Sequence, residues 1–477
     1  MKFILSKYTI AAGLACSMLF SCQDDFEEIN ADPNRLEAVL PGTLLAPALL
    51  NASNVMLSRT HRISHELMQY TVQTNTIDEF HRYVFRDTEP DYLWKNLYRW
   101  ATNANDMYDL ASELNDKNNM AVALVVRSWI MANVTDLFGD VPYSEAFQGD
   151  ERVYYPKFDS QKEIYMDLLA DLKEANELID LSKPLAANDP LYNGDMMKWK
   201  KFSNSLRLRL LMRVSGKEEM NAPAAISEIY NNPEKYPLFT SNEDAATFNY
   251  TGTAPFVNPF SEWRAFEFNG NRDYGSTFIN ILNDANDPRR AIIATKVGGT
   301  YVGIESGQPE NIVTDQHALG ASTYNDKVLK KATQPAYILP YSEVLFNLAE
   351  AAQKGWINAD AEELYTNAVI ASVEQWGATA TEEFLQNENI AYNGTMEQLM
   401  EQKYVALFFV GFESWYEYRR TGMPELFKGS ALQNNGLMPV RLEYPVIVQA
   451  TNKASYDAAV QQIGGDDMNV KVWWQKE

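Results

Sequence analysis

The sequence predicts a mostly α-helical protein of stacked helix pairs, interrupted by one irregular, loop-rich insertion. Three observations carry that expectation. Apolar residues recur at three-and-four spacing through most of the chain, which marks amphipathic helices. Short turns such as Lys354-Gly355 separate the periodic segments, which suits antiparallel helix neighbours. Residues 237–335 abandon the period for Gly, Asn, Pro, Thr and aromatics.

In chain order, residues 1–21 read as a secretory signal. Lys2 and Lys7 give a basic start, an apolar run covers residues 10–20, and Ser21 is the small residue before Cys22. The run falls short of the ~20 residues that a spanning helix needs. Cys22 directly after Ser21 reads as a lipobox, with Cys22 as the lipidated first residue of the mature protein; Phe20 is large for its place in that motif. Residues 159–179 carry Ile164, Tyr165, Leu168, Leu169, Leu172, Ala175 and Leu178 on one helical face, with Asp159 as the expected N-cap. Residues 197–214 repeat the pattern through Trp199, Phe202, Leu206, Leu210 and Val214, with Lys200, Lys201, Arg207 and Arg209 on the other face. Further helices are expected over 340–356, 359–376 and 395–409. Pairs of this size resemble degenerate tetratricopeptide repeats, whose period is about 34 residues, although no clean consensus is present. Inside the insertion a shorter helix is expected over about 275–282. Irregular chain on a rigid helical scaffold is where binding residues concentrate.

Composition narrows the function. The chain has 477 residues and a formal charge of −23, which opposes nucleic-acid binding and leaves a lipid, rather than charge, to hold the protein at a membrane. No segment after the signal is expected to approach a spanning length. With Cys16 removed and Cys22 lipidated, neither cysteine is left for a disulfide, a thiolate metal site or a nucleophile.

Several blocks together resemble a known family. CQDDFEEINADPN at 22–34, DLFGDVPYSEA at 136–146, PKFDSQKEIYMDLLADL at 156–172 and GDMMKWKKFSNSLRLRLLMR at 194–213 come first. PYSEVLFNLAEAAQKGW at 340–356, EQKYVALFFVGFESWYEYRRTGMP at 401–424, PVRLEYP at 439–445 and VWW at 472–474 follow in order. The chain resembles the SusD/RagB family of Bacteroidetes surface lipoproteins, in its SusD-like, starch-binding-associated branch. The acidic run after Cys22 is also what surface-exported lipoproteins of that group carry. The resemblance implies a tetratricopeptide-like α-α superhelix, one binding domain over 22–477 with an insertion at about 237–335, and a lipid-anchored, surface-exposed place at the outer membrane. It implies a binding protein rather than an enzyme, one that delivers an oligosaccharide or a peptide to a SusC-like TonB-dependent outer-membrane transporter. No cofactor is expected. The blocks themselves read as structural: Gly139 to Pro142 as a turn, and Glu413, Arg419 and Arg420 as ion pairs within the helical stack.

Sugar binding needs flat apolar faces for pyranose rings and planar polar groups for hydroxyls. Residues 260–275 (FSEWRAFEFNGNRDYG) hold both, and the candidate ligand-binding residues are Trp263, Arg264, Phe266, Asn271 and Tyr274. The competing role for Trp263 and Phe266 is to anchor the insertion to the scaffold. The resemblance brings the loop at 75–87 towards the same face, which adds Tyr83, with Phe80 beside it, as a candidate partner of Trp263. His61 and His65 stand one helical turn apart, but without an HExxH order or a marked third ligand they define no metal site. No nucleophile elbow or phosphate-cradling loop is present. A glycoside hydrolase with two unassigned carboxylates, and a scaffold that binds only proteins, remain as alternatives.

Overall fold

The scaffold opens with α1 (Leu45–Arg59), α2 (Glu89–Glu113) and α3 (Lys117–Phe138) in a computed structural model that describes residues 39–75, 80–149 and 151–476. Cys22 and the signal segment lie outside the described residues, and residues 41–477 form one unit. Pro90 sits in the first turn of α2, where a missing N–H costs nothing. Asp116 caps α3 by accepting from the Asn119 backbone N–H at 3.2 Å. The turn between the two helices lays α3 back along α2. By length and composition α3 is apolar enough to cross a membrane, contrary to the expectation from sequence. It lies inside the stack instead, with 94% of its apolar window buried. A helix enclosed on every side has no polar face and therefore no amphipathic period.

The next pair is α4 (Gln161–Leu178) and α5 (Met196–Arg213). Ser160, not Asp159, caps α4 in a reciprocal capping box with Glu163. Asp159 is engaged elsewhere, accepting from the backbone N–H groups of Tyr143 at 3.1 Å and Ser144 at 2.8 Å. In α5, Arg207 and Arg209 do not form the solvent face that the pattern implied; both are buried, as is Arg213.

Two small antiparallel pairings tie irregular chain to this scaffold. β1 (Thr71–Gln73) follows α1, and β2 (Ala246–Phe248), β3 (Arg272–Tyr274) and β4 (Ala336–Leu339) come later. The pairing of β2 with β4 brings together the two ends of the loop-rich excursion, with Ala246 opposite Leu339. β1 and β3 pair with Gln73 opposite Arg272 and Thr71 opposite Tyr274. Between β3 and β4 lies α6 (Ser276–Asp284), close to its expected place. The stack then continues through α7 (Tyr341–Gln353), α8 (Ala361–Gln375), α9 (Met396–Ala406) and α10 (Glu413–Thr421).

Where these helices converge the core is ionic. Arg209 forks onto Glu343 and reaches Glu413 at 3.3 Å. Arg213 pairs with Glu413 and with Asp136 at 2.8 Å. Arg420 makes a two-pronged contact with Glu350 at 2.7 and 2.6 Å and shares Glu417 with Lys403, each at 2.7 Å. Burial alone would raise the Glu417 carboxyl, but Arg420, Lys403 and Arg213 outweigh it and hold the group well below the usual carboxylate range. Glu413 and Arg420 thus form the expected ion pairs. Arg419 behaves differently: it donates to the Asp136 carbonyl at 2.7 Å and lies over the Trp474 ring at 4.6 Å.

Candidate ligand-binding cleft

One cleft of about 620 Å³ opens where α1, the start of α2, the end of β1 and the irregular segment 259–272 meet. Its size suits a ligand of two or three sugar rings, within the range of small-molecule sites. By contrast, a cavity of about 140 Å³ beside Trp473 and Lys476 is too small for that task.

The first wall comes from α1 and its exit. The helix widens into a single π turn over Thr60–Ser64, a local feature that re-aims side chains. His61 then points inward and is buried, while Arg62 borders the cleft. The His61 ring packs 5.2–5.3 Å from Phe260, Trp263, Phe268 and Tyr324, and its Nε2 lies 3.0 Å from the Phe268 carbonyl. His65 Nδ1 lies 2.6 Å from the Tyr324 hydroxyl. Burial, reinforced by nearby Arg272, holds both imidazoles well below their ordinary value and so neutral. The histidine pair therefore props up the aromatic floor of the cleft. Among the described residues, no three His, Cys, Asp or Glu side chains cluster as metal ligands.

The guanidinium of Arg59 lies 4.0 Å over the Tyr92 ring and donates to Glu89 at 2.7 Å, which holds an exposed Tyr face at the rim. The β1–β3 register puts Gln73 beside Arg272, and both line the cleft. Arg272 is held from behind by Glu66 at 2.8 Å.

The opposite wall is the segment picked out in the sequence. It folds as two single helical turns, Pro259–Glu262 and Ala265–Phe268. Trp263 lies between them, half-buried, with its ring 4.9 Å from Phe260 and edge-on to His61. Phe266 is 58% exposed. Arg264 donates from Nε and Nη2 to Glu267 at 3.0 and 2.6 Å. That contact lowers the Glu267 carboxyl and keeps it ionised. Gly270 is needed here: a Cβ at this position would come 2.6 Å from the Phe266 ring and 2.5 Å from its carbonyl oxygen.

The cleft thus brings Trp263, Arg264 and Phe266 together. Asn271 stands just outside, in the left-handed turn before β3, where its carbonyl accepts from the Thr74 N–H at 2.7 Å. Tyr274 does not line the cleft: its ring is fully buried and its hydroxyl donates to the Ile293 carbonyl at 2.8 Å. Tyr83 and Phe80 are also buried, and burial pushes the Tyr83 hydroxyl up to about 12. Large aromatics in these loops pack rather than stand free. Sequence reasoning missed Arg59, Arg62, Tyr92 and Gln73. Each sits on an element far from residue 263 in the chain, and no local pattern joins them.

The family model described as starch-binding and associating with the outer membrane matches residues 33–445. The chain belongs to the SusD-like family. SusD-like proteins are binding proteins rather than enzymes, and their all-helical fold is the one described above. A solved chitin-binding protein is 29% identical with a TM-score of 0.79, over 91% of this chain and 99% of its own. A structure from Bacteroides vulgatus, described as a candidate outer-membrane protein involved in nutrient binding, is 25% identical with a TM-score of 0.78, over 90% of this chain and all of its own. A chitin-binding SusD homologue from Flavobacterium johnsoniae is 22% identical with a TM-score of 0.77, over 91% and 98% of the two chains, and shares the fold. No match was found among curated protein sequences.

Proposed function

We propose that this SusD-like protein is a lipid-anchored, surface-exposed outer-membrane binder that captures an oligosaccharide and hands it to a SusC-like TonB-dependent transporter. The carrying observation is the cleft itself. Phe266, Trp263 and Tyr92 offer ring faces, and Arg, Gln and Asn side chains around them offer planar hydrogen-bonding groups suited to hydroxyls. Likeness to the chitin-binding protein at 29% identity supports a glycan rather than a peptide. Two-carboxylate glycoside hydrolysis fits poorly, because Glu267 is the one carboxylate lining the cleft among the described residues.

Glycan-array screening of the purified protein, followed by calorimetry of the hits, tests the reading. Saturable binding of an oligosaccharide without release of shorter products is the expected result. Product release, or binding of peptides alone, refutes it. The anchor is tested separately: Cys22→Ser should move the protein from the membrane fraction to the soluble fraction, and retention in the membrane fraction counts against lipidation at Cys22.

A further inference from the structure

We infer that the ligand carries an acetamido group, read by Asn54 and Ser58 on the α1 wall of the cleft. This rests on the oligosaccharide proposal above and narrows it to 2-acetamido sugars. Both residues line the cleft and stand four positions apart on α1, one helical turn or about 6 Å. Asn54 is oriented from behind. The Tyr250 hydroxyl donates to Asn54 Oδ1 at 2.6 Å, a length usual for O–H···O and short for N–H···O, which turns the amide oxygen towards the tyrosine. Tyr250 is 4% exposed, and burial raises its hydroxyl, so it keeps its proton. Nδ2 is left as the open end of the amide, a donor with no partner among the described residues.

Ser58 has the opposite polarity. Its hydroxyl proton is spent on the Val55 carbonyl at 3.0 Å, which leaves Oγ as an acceptor. The α1 wall therefore offers a donor and, one turn further on, an acceptor. A secondary amide satisfies both at once, its carbonyl accepting from Asn54 and its N–H donating to Ser58. A sugar hydroxyl meets either group alone and gains nothing from their fixed order. In an oligosaccharide the secondary amide is the acetamido group. Its methyl needs an apolar surface, and Pro259 lines the same cleft on a turn that packs against α1. Asn258 holds that turn in place: it accepts from the Phe260 N–H at 2.8 Å and donates to the Gln334 carbonyl at 2.7 Å. Ring faces on Trp263 and Phe266 are left to stack against the sugar itself.

The test is calorimetry on the mature protein with four neutral probes. Chitotetraose and di-N-acetyllactosamine carry acetamido groups, whereas cellotetraose and maltotetraose do not. The tightest binder should be an N-acetylated probe, by tenfold or more over both of the others. Asn54→Asp keeps an acceptor for Tyr250 but puts an oxygen where Nδ2 stood. It should cut the preference to threefold or less with an unchanged melting temperature. Ser58→Ala removes the acceptor alone and should weaken the N-acetylated probe while sparing the other two. A smaller margin in the parent protein, or a tightest binder without the group, overturns the acetamido assignment and leaves the oligosaccharide proposal standing. A preference that survives both substitutions overturns the roles of Asn54 and Ser58. Failure of all four probes overturns this inference, and the glycan array judges the oligosaccharide proposal separately. Binding of N-acetyl-tetraalanine amide in place of every sugar overturns both.

Discussion

Replacing Phe266 by Ala separates binding from folding more cleanly than any other change in the cleft. A phenylalanine side chain buries at least ~150 Å² when enclosed, and Phe266 is 58% exposed, so roughly 90 Å² remains for a ligand to cover. At ~25 cal/mol per Å² full coverage would contribute about 2 kcal/mol; a sugar covering one face takes about half of that, and favourable stacking adds up to about 1 kcal/mol. The truncation should therefore weaken binding by about 1.5–2 kcal/mol, or roughly 10- to 30-fold. Stability should change by less than ~0.5 kcal/mol, because an exposed side chain leaves no cavity. Calorimetry with the oligosaccharide found by array, paired with a thermal melt of the free protein, reads both quantities. Affinity within twofold of the parent refutes the stacking argument. So does a fall in melting temperature that accompanies the loss, since Phe266 would then be an anchor. Trp263→Ala makes a useful contrast: half-buried against Phe260 and His61, Trp263 should cost both affinity and stability.

Three further outcomes are expected. Gly270→Ala drives a methyl group into the Phe266 ring and carbonyl, and should lower affinity about as much as Phe266→Ala; unchanged binding would show that Phe266 is not held in place by Gly270. Glu413→Ala strips Arg209 and Arg213 of a shared buried partner and should cost ~3–5 kcal/mol in urea unfolding, and a loss below ~1 kcal/mol would contradict the ionic core. His61, His65 and His81 are depressed by burial, His81 to about 3, so the unfolded chain takes up protons first as pH falls. Their contribution is intact above the unfolded value of about 6.5 and is lost below it, at up to ~1.4 kcal/mol per pH unit for each group. Unfolding free energy measured at pH 7 and pH 5 should therefore fall with acidity, and replacing His81 with Gln should lessen the slope.

Amphipathic helices were the most legible part of the sequence. α4, α5, α7, α8 and α9 fall within a few residues of their expected bounds, because their large apolar residues recur at three-and-four spacing. α3 left no such signature because it is buried all round. Arg207 and Arg209 were misplaced for a related reason: a charge that meets a buried ring, as Arg207 meets Tyr236, or a buried carboxylate, as Arg209 does, looks the same in sequence as one that meets water. Of the residues that line the candidate cleft, Trp263, Arg264 and Phe266 were picked out through their local density. Tyr274 belongs to the same string, but it enters the core one strand pair further along, and density cannot tell a ring at the rim from one beneath it. Arg59 and Tyr92 line the same cleft as Trp263 through tertiary structure alone.

The ionic core also governs how the chain is assembled. Tetratricopeptide-type stacks ordinarily gain stability one neighbour at a time. Here Asp136, Arg209, Arg213, Glu343, Glu413 and Glu417 come from α3, α5, α7 and α10, and the Trp474 indole closes on Asp136 at 2.8 Å. On α5, Arg213 can pair with Asp136 of the preceding α3, but Arg209 meets its carboxylates only when α7 and α10 arrive. Folding is therefore bound to long loop closure, slow and cooperative across some three hundred residues rather than progressive from one end. A leading half that ends before α7 leaves Arg209 without Glu343 and Glu413, so its native packing is completed only from the far end of the chain.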